Sequence, residues 1–117
     1  MQHDKKRVRG GGGRLGAIIR VCAADELPAG SRRVVDINDY EEVLVLNVDG
    51  RIHALSNICP HQGAALERGP VTGNILYCPL HRWGFALFTG TYVDDPTICL
   101  RLYPTETSNG DLLLHLP

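Results

Sequence analysis

Two short runs of this chain concentrate residue types that bind metals. The first is Cys59-Pro60-His61-Gln62-Gly63. The second, separated from His61 by sixteen residues, is Cys78-Pro79-Leu80-His81-Arg82-Trp83. Each run offers one soft thiol and one imidazole from a turn, so the two halves can close on one centre. A proline follows each cysteine, which fixes φ there and stiffens the turn. Gly63, Gly69 and Gly73 permit a backbone tight enough for amide N–H groups to approach sulfur. Two centres fit such a donor set. A structural zinc takes all four donors on one tetrahedral ion. A [2Fe–2S] cluster takes both cysteines on one iron and both histidines on the other. Zinc fingers usually group their cysteines in one knuckle and their histidines in another, whereas here each knuckle holds one of each.

The elements that must hold these runs read as strands. Ile18–Ala23, Arg32–Ile37, Val43–Val48, Arg51–Ser56, Asn74–Tyr77, Phe85–Phe88, Thr97–Tyr103 and Leu112–Leu116 are mostly rich in β-branched or large apolar residues. Clusters of Gly, Pro, Asp or Asn bound them. Asp49-Gly50 between two apolar runs predicts a hairpin. Ser108-Asn109-Gly110-Asp111 predicts a second. No segment keeps a helical period over three turns, and Asp39–Glu42 is expected to form one turn at most. The fold class is all-β. Residues 57–84 break the pattern with Pro, Gly, Cys and His. An insertion of that kind in a small domain is usually functional.

At 117 residues the chain is one domain. Lys5, Lys6, Arg7, Arg9 and Arg14 against Asp4 give residues 1–14 a charge of +4, so a total of −1 leaves −5 on the rest. The mildly acidic body argues against nucleic acid as a partner. Residues 1–16 are expected to be a disordered basic arm ending in the Gly10–Gly13 linker, with residues 17–117 as the domain. No apolar run approaches the ~18 residues that cross a bilayer. The basic start is not followed by an apolar stretch of signal-peptide length. A cytoplasmic protein with reduced thiols is therefore expected, and metal ligation is a better use of its cysteines than disulfides.

On these motifs the chain resembles the Rieske proteins, and among them the small soluble Rieske ferredoxins. The resemblance runs from about Ile18 to the C-terminus. It includes Asp49-Gly50-Arg51-Ile52-His53-Ala54, Asn57-Ile58-Cys59-Pro60-His61, Ala65-Leu66-Glu67-Arg68-Gly69-Pro70-Val71, Cys78 to Phe85 and Thr89-Gly90. It implies an antiparallel β-sandwich of about three sheets with a two-loop cluster-binding subdomain. It also implies a [2Fe–2S] cluster held by Cys59, His61, Cys78 and His81. The role implied is a monomeric one-electron carrier between a flavin-dependent ferredoxin reductase and a terminal oxygenase, such as a ring-hydroxylating dioxygenase, or a reductase. The chain leaves no length for the mononuclear iron site of an oxygenase. Two other functions compete: the small subunit of an NADH-dependent nitrite reductase or another multi-component oxidoreductase, and a structural zinc-binding β-domain.

Charge explains the histidines. Two ferric ions, two sulfides, two thiolates and two neutral imidazoles sum to zero, whereas four thiolates leave a dianion that accepts an electron less readily. Membrane-complex Rieske proteins add a loop-to-loop disulfide and hydroxyls on the cluster sulfurs. The matching positions here hold Ala64, Leu80, Trp83 and Phe85, which can form no disulfide and donate no hydroxyl. The expected potential is at the low end of the Rieske range, roughly −150 mV. Arg82 stands where relatives commonly have Gly and is strained if φ is positive there. With Trp83 it is a candidate docking patch, though Trp83 could equally only shield the cluster. Cys22 and Cys99 are expected to act as small apolar residues, and His53 as a structural histidine. His3 and His115 have no evident partner. Asp94-Asp95-Pro96 is either a third loop near the cluster or an ordinary surface turn.

Overall fold

The computed structural model describes residues 7–9 and 16–117. Its twelve strands are β1 (Arg7–Arg9), β2 (Ile18–Ala23), β3 (Arg32–Asp36), β4 (Glu42–Val48), β5 (Arg51–Ser56), β6 (Val71–Thr72), β7 (Ile75–Tyr77), β8 (Gly84–Ala86), β9 (Thr91–Tyr92), β10 (Asp95–Cys99), β11 (Thr105–Ser108) and β12 (Asp111–His115). They form three sheets, ordered β1-β3-β4-β5, β11-β12-β2 and β10-β9-β8-β7-β6. Every pairing is antiparallel except β1 with β3.

The central strand β4 explains the layering. Val43, Leu44, Val45 and Leu46 are all buried. Successive side chains point to opposite faces, so a run of four apolar residues without alternation requires cover on both sides. One face, Val43 and Val45 with Val35 and Ala54, packs on Ile19, Val21, Leu112 and Leu114 of β2 and β12. The other, Leu44 and Leu46 with Val34 and Leu55, packs on Leu66, Leu76, Phe85, Leu87 and both Cys59 and Cys78. The second core therefore seats the Cys59 and Cys78 runs directly on the central sheet.

Both expected hairpins close through two-residue turns, Asp49-Gly50 between Val48 and Arg51, and Asn109-Gly110 between Ser108 and Asp111. The helical turn expected at Asp39–Glu42 is instead a bend. The Asn38 side-chain oxygen accepts the N–H groups of Tyr40 and Glu41 at 2.8 and 2.9 Å, which holds the loop from β3 to β4 outside a helix. The single helical element among the described residues is the 3-10 turn Ala24–Glu26. The strand expected over Thr97–Tyr103 starts and ends earlier, at Asp95–Cys99, and Leu102 then meets Leu55 in an isolated bridge. Phe88 leaves the ladder after Ala86 and lies half-exposed. Most of the expected N-terminal arm falls outside the described residues. Within it, β1 lies parallel on β3, with Val8 packed against the first core.

His53 lies on β5, 8% exposed, edge-on to the Phe88 ring at 5.1 Å. Burial lowers its pKa, the neighbouring Arg51 charge lowers it further, and a hydrogen bond with the Leu87 backbone opposes them. The folded protein thus favours neutral His53 more than the unfolded chain does, where the group titrates near pH 6.5. That stability is complete above about pH 6.5 and is lost as pH falls below it toward the folded value. The urea midpoint of the wild type should fall more between pH 7 and pH 5 than that of His53→Gln. Parallel profiles would show that His53 is not the responsible group.

Candidate metal centre

The two candidate runs fold into the same kind of knuckle. In the first, the Gly63 amide donates to the Cys59 carbonyl and the Cys59 amide donates to the Ala64 carbonyl, both at 2.8 Å. In the second, the Arg82 amide donates to the Cys78 carbonyl at 2.9 Å, and the Cys78 amide to the Trp83 carbonyl at 2.8 Å. Each knuckle turns on a left-handed residue four positions after its cysteine, Gly63 with φ 73° and Arg82 with φ 60°. Glycine adopts that conformation freely, whereas arginine carries about 1–2 kcal/mol of strain there. The strain expected at Arg82 is present, and its side chain is exposed beside His81.

The knuckles meet where the chain arms touch. A side chain on Gly69 would place Cβ only 1.9 Å from the Tyr77 carbonyl oxygen, so the exit of the first run and the strand leading to Cys78 are in backbone contact. Buried Asn57 braces the other side. Its amide nitrogen donates to carboxylate oxygens of Glu42 at 2.9 Å and Glu67 at 3.0 Å, and its own N–H and C=O bond to Glu42 and Leu66 of the main chain.

The four expected donors come together as two pairs. Cys59 and Cys78 are each 1% exposed, within the second core. Burial raises the Cys59 pKa, the adjoining Cys78 thiol raises it too, and the backbone N–H groups of His61 and Gln62 act against both by bonding to the Cys59 sulfur. His61 and His81 lie outside this buried pair and are exposed, their rings 5.0 Å apart and inclined at 74°. The face of His61 stacks on Trp83 at 4.2 Å, and Trp83 stacks on Tyr92 at 4.0 Å. Leu80, 58% exposed, lies in the second knuckle next to His81.

This division tests the two candidate centres. Among the described residues no three His, Cys, Asp or Glu side chains converge where one ion could bind them. A tetrahedral zinc needs such convergence. A two-iron cluster needs thiols on one iron and imidazoles on the other, and it takes the thiols deprotonated with amide N–H groups facing sulfur. The donor set fits the cluster.

The remaining candidates lie apart. Cys22 is buried in the first core, on the far face of the central sheet, as expected. Cys99 is exposed rather than buried. It lines a cleft of about 300 Å³ with Ile58, Pro60 and Leu100. His115 has a partner after all, the Glu106 carboxylate at 2.5 Å across the β11–β12 ladder. His3 lies outside the described residues. Asp95 opens β10 and accepts from both the amide and the hydroxyl of Thr97, which lowers its pKa. Asp94 bonds the Tyr92 side chain, so this loop reaches His61 through two stacked rings. Sequence reasoning missed Asn57, Gln62 and Tyr92. Gln62 could have been flagged from its place beside His61, whereas nothing local marks Tyr92.

Comparison with known proteins identifies the family. The family model of the Rieske [2Fe-2S] domain matches residues 17–104. The ferredoxin component of the alkene monooxygenase system of Xanthobacter autotrophicus is 35% identical over 97 residues, covering 82% of this chain and 79% of that one. Among solved structures, a protein assigned as the small subunit of an NADH-dependent nitrite reductase from Mycobacterium tuberculosis superposes with a TM-score of 0.78. It is 27% identical, and the match covers 89% of this chain and 98% of that one. A chain from the complex of oxygenase and ferredoxin in carbazole 1,9a-dioxygenase gives a TM-score of 0.76 at 26% identity, covering 84% of this chain and 92% of that one.

Proposed function

Because the chain belongs to the Rieske [2Fe–2S] domain family, we propose that it is a one-electron carrier, the ferredoxin component of a multi-component oxygenase system. In this reading Cys59 and Cys78 hold one iron, and His61 and His81 hold the other. The observation that carries it is the division of the donors into a buried pair of thiols and an exposed pair of imidazoles. When bound, the cluster takes up one electron and gives it back.

The chain's own residues set the terms of that exchange. The second core keeps water from the sulfurs, while amide N–H groups of His61 and Gln62 stabilise charge on the Cys59 sulfur. The imidazoles of His61 and His81 are exposed, so the iron that they would hold would be the one a partner could approach closely. Trp83 stacks on one face of His61, and the residue stays exposed. At the positions that raise the potential in membrane-complex relatives, Phe85 is fully buried in the second core and Trp83 packs against it, so neither supplies a hydroxyl. A potential near the low end of the Rieske range, roughly −150 mV, is the expected result of protein-film voltammetry.

A low potential suits a flavin-dependent ferredoxin reductase as donor and a terminal oxygenase as acceptor. The alkene monooxygenase relative and the carbazole dioxygenase complex support the acceptor. We further propose a monomer acting in the cytoplasm, where the free thiols Cys22 and Cys99 stay reduced. No described helix is long and apolar enough to cross a membrane. The likeness to the nitrite reductase small subunit supports a second reading, a permanent subunit of a larger enzyme. A stable complex in a pull-down favours the subunit, and a salt-sensitive one the carrier.

The deciding experiment is EPR of the dithionite-reduced protein purified without added metal. A rhombic signal with the low average g of a histidine-ligated cluster is expected. A silent protein containing zinc would overturn the reading.

A further inference from the structure

We infer that Gln62 is a positioning residue that ties the two knuckles together and orients His81 toward the metal, an inference that rests on His81 being a ligand. The Gln62 amide oxygen lies 2.6 Å from His81 Nε2. An amide oxygen can only accept, so Nε2 carries a proton, and in the neutral ring Nδ1 keeps its lone pair. Nδ1 is therefore the nitrogen left for iron, and the hydrogen bond fixes both the tautomer and the ring plane, as partners of ligating histidines do elsewhere.

The tie adds a hydrogen bond to what else crosses between the knuckles at this level, the stacking of His61 on Trp83 and its edge contact with His81. The backbone hydrogen bonds of each knuckle close within it, Cys59 with Gly63 and Ala64, Cys78 with Arg82 and Trp83. All four cysteines are free, and Ala64 and Leu80 can form no disulfide across the loops. The Gln62–His81 bond joins the exposed halves at the surface, where thermal opening of either loop would uncover the centre. Gln62 is exposed and packs in neither core, so its truncation removes the tie without a cavity.

The test compares the iron-loaded wild type with Gln62→Ala and Gln62→Glu. The first measurement is the rate at which an iron chelator bleaches the visible absorbance. The second is pulsed EPR of the histidine nitrogens in the reduced state. Gln62→Ala should lose iron about fivefold faster, the factor that one hydrogen bond typically supplies, and should show altered coupling of one imidazole nitrogen. Gln62→Glu, whose carboxylate also accepts from Nε2, should return the release rate to within about twofold of the wild type. Equal rates and unchanged nitrogen couplings in Gln62→Ala would overturn the inference, as would Gln62→Glu releasing iron as fast as Gln62→Ala. A wild type without a histidine-ligated signal would instead overturn the ligand assignment, and the inference would fall with it.

Discussion

Cys78→Ser is expected to abolish iron binding, lowering iron content at least tenfold and erasing the EPR signal of the reduced protein. A serine hydroxyl stays protonated where a thiolate would bind iron, and it reaches less far. Loss of iron could also follow from instability alone, because the change buries a hydroxyl among Leu66, Leu76 and Phe85. Such a burial costs about 1–3 kcal/mol. Cys22→Ser separates the two causes. Cys22 is also buried, but in the first core, on the opposite face of the central sheet. It should lose comparable stability and keep its iron. If both variants lose iron equally, destabilisation explains the loss and Cys78 has no special role.

Gly69→Ala is expected to cost more than about 3 kcal/mol, at or beyond the upper end of ordinary overpacking. The added Cβ would lie 1.9 Å from the Tyr77 carbonyl oxygen and 3.1 Å from that of Leu66. Neither obstacle is a side chain that can swing away. The Gly69 amide bonds to the Leu66 carbonyl, and the Tyr77 amide bonds to the Pro70 carbonyl. Tyr77 is in turn paired with Gly84 across β7 and β8. Relief requires moving the strand that leads to Cys78, so stability and iron retention should fall together. Urea titration should show a lower midpoint at an unchanged m-value. Gly73→Ala provides the scale, because its φ is positive but nothing lies within 4 Å of the added carbon. It should cost about 1–2 kcal/mol. A Gly69→Ala midpoint no lower than that of Gly73→Ala would mean the two arms are not in rigid contact.

These expectations show where sequence reading was sufficient. Strands β2 and β5 fall where the apolar runs and their bounding turns put them, Ile18–Ala23 and Arg51–Ser56. Both hairpins turn where Asp-Gly and Asn-Gly stand. These features depend on side-chain shape and on backbone conformations set by one or two residues. The pairing of a cysteine with a histidine inside each knuckle is local in the same way. By contrast β6, β9 and β11 have two to four residues each, too few to carry a pattern, and exist because a neighbouring strand supplies their hydrogen bonds.

The donor types of the candidate centre were thus legible in the sequence, and their layout was not. Which sulfur is buried, which imidazole faces outward and which residue lies between them depend on contacts between segments far apart along the chain. Gln62 meets His81 across nineteen positions. Tyr92 reaches Trp83 only because β9 pairs with β8. Arg82 adopts a left-handed φ because the hydrogen bonds from Arg82 to Cys78 and from Cys78 to Trp83 close the knuckle around it, against its own preference. Local sequence fixes what a segment can form and which donors it carries. Packing both faces of one central sheet decides how those donors are brought together, because only the folded chain determines which surfaces are left for each loop to cover.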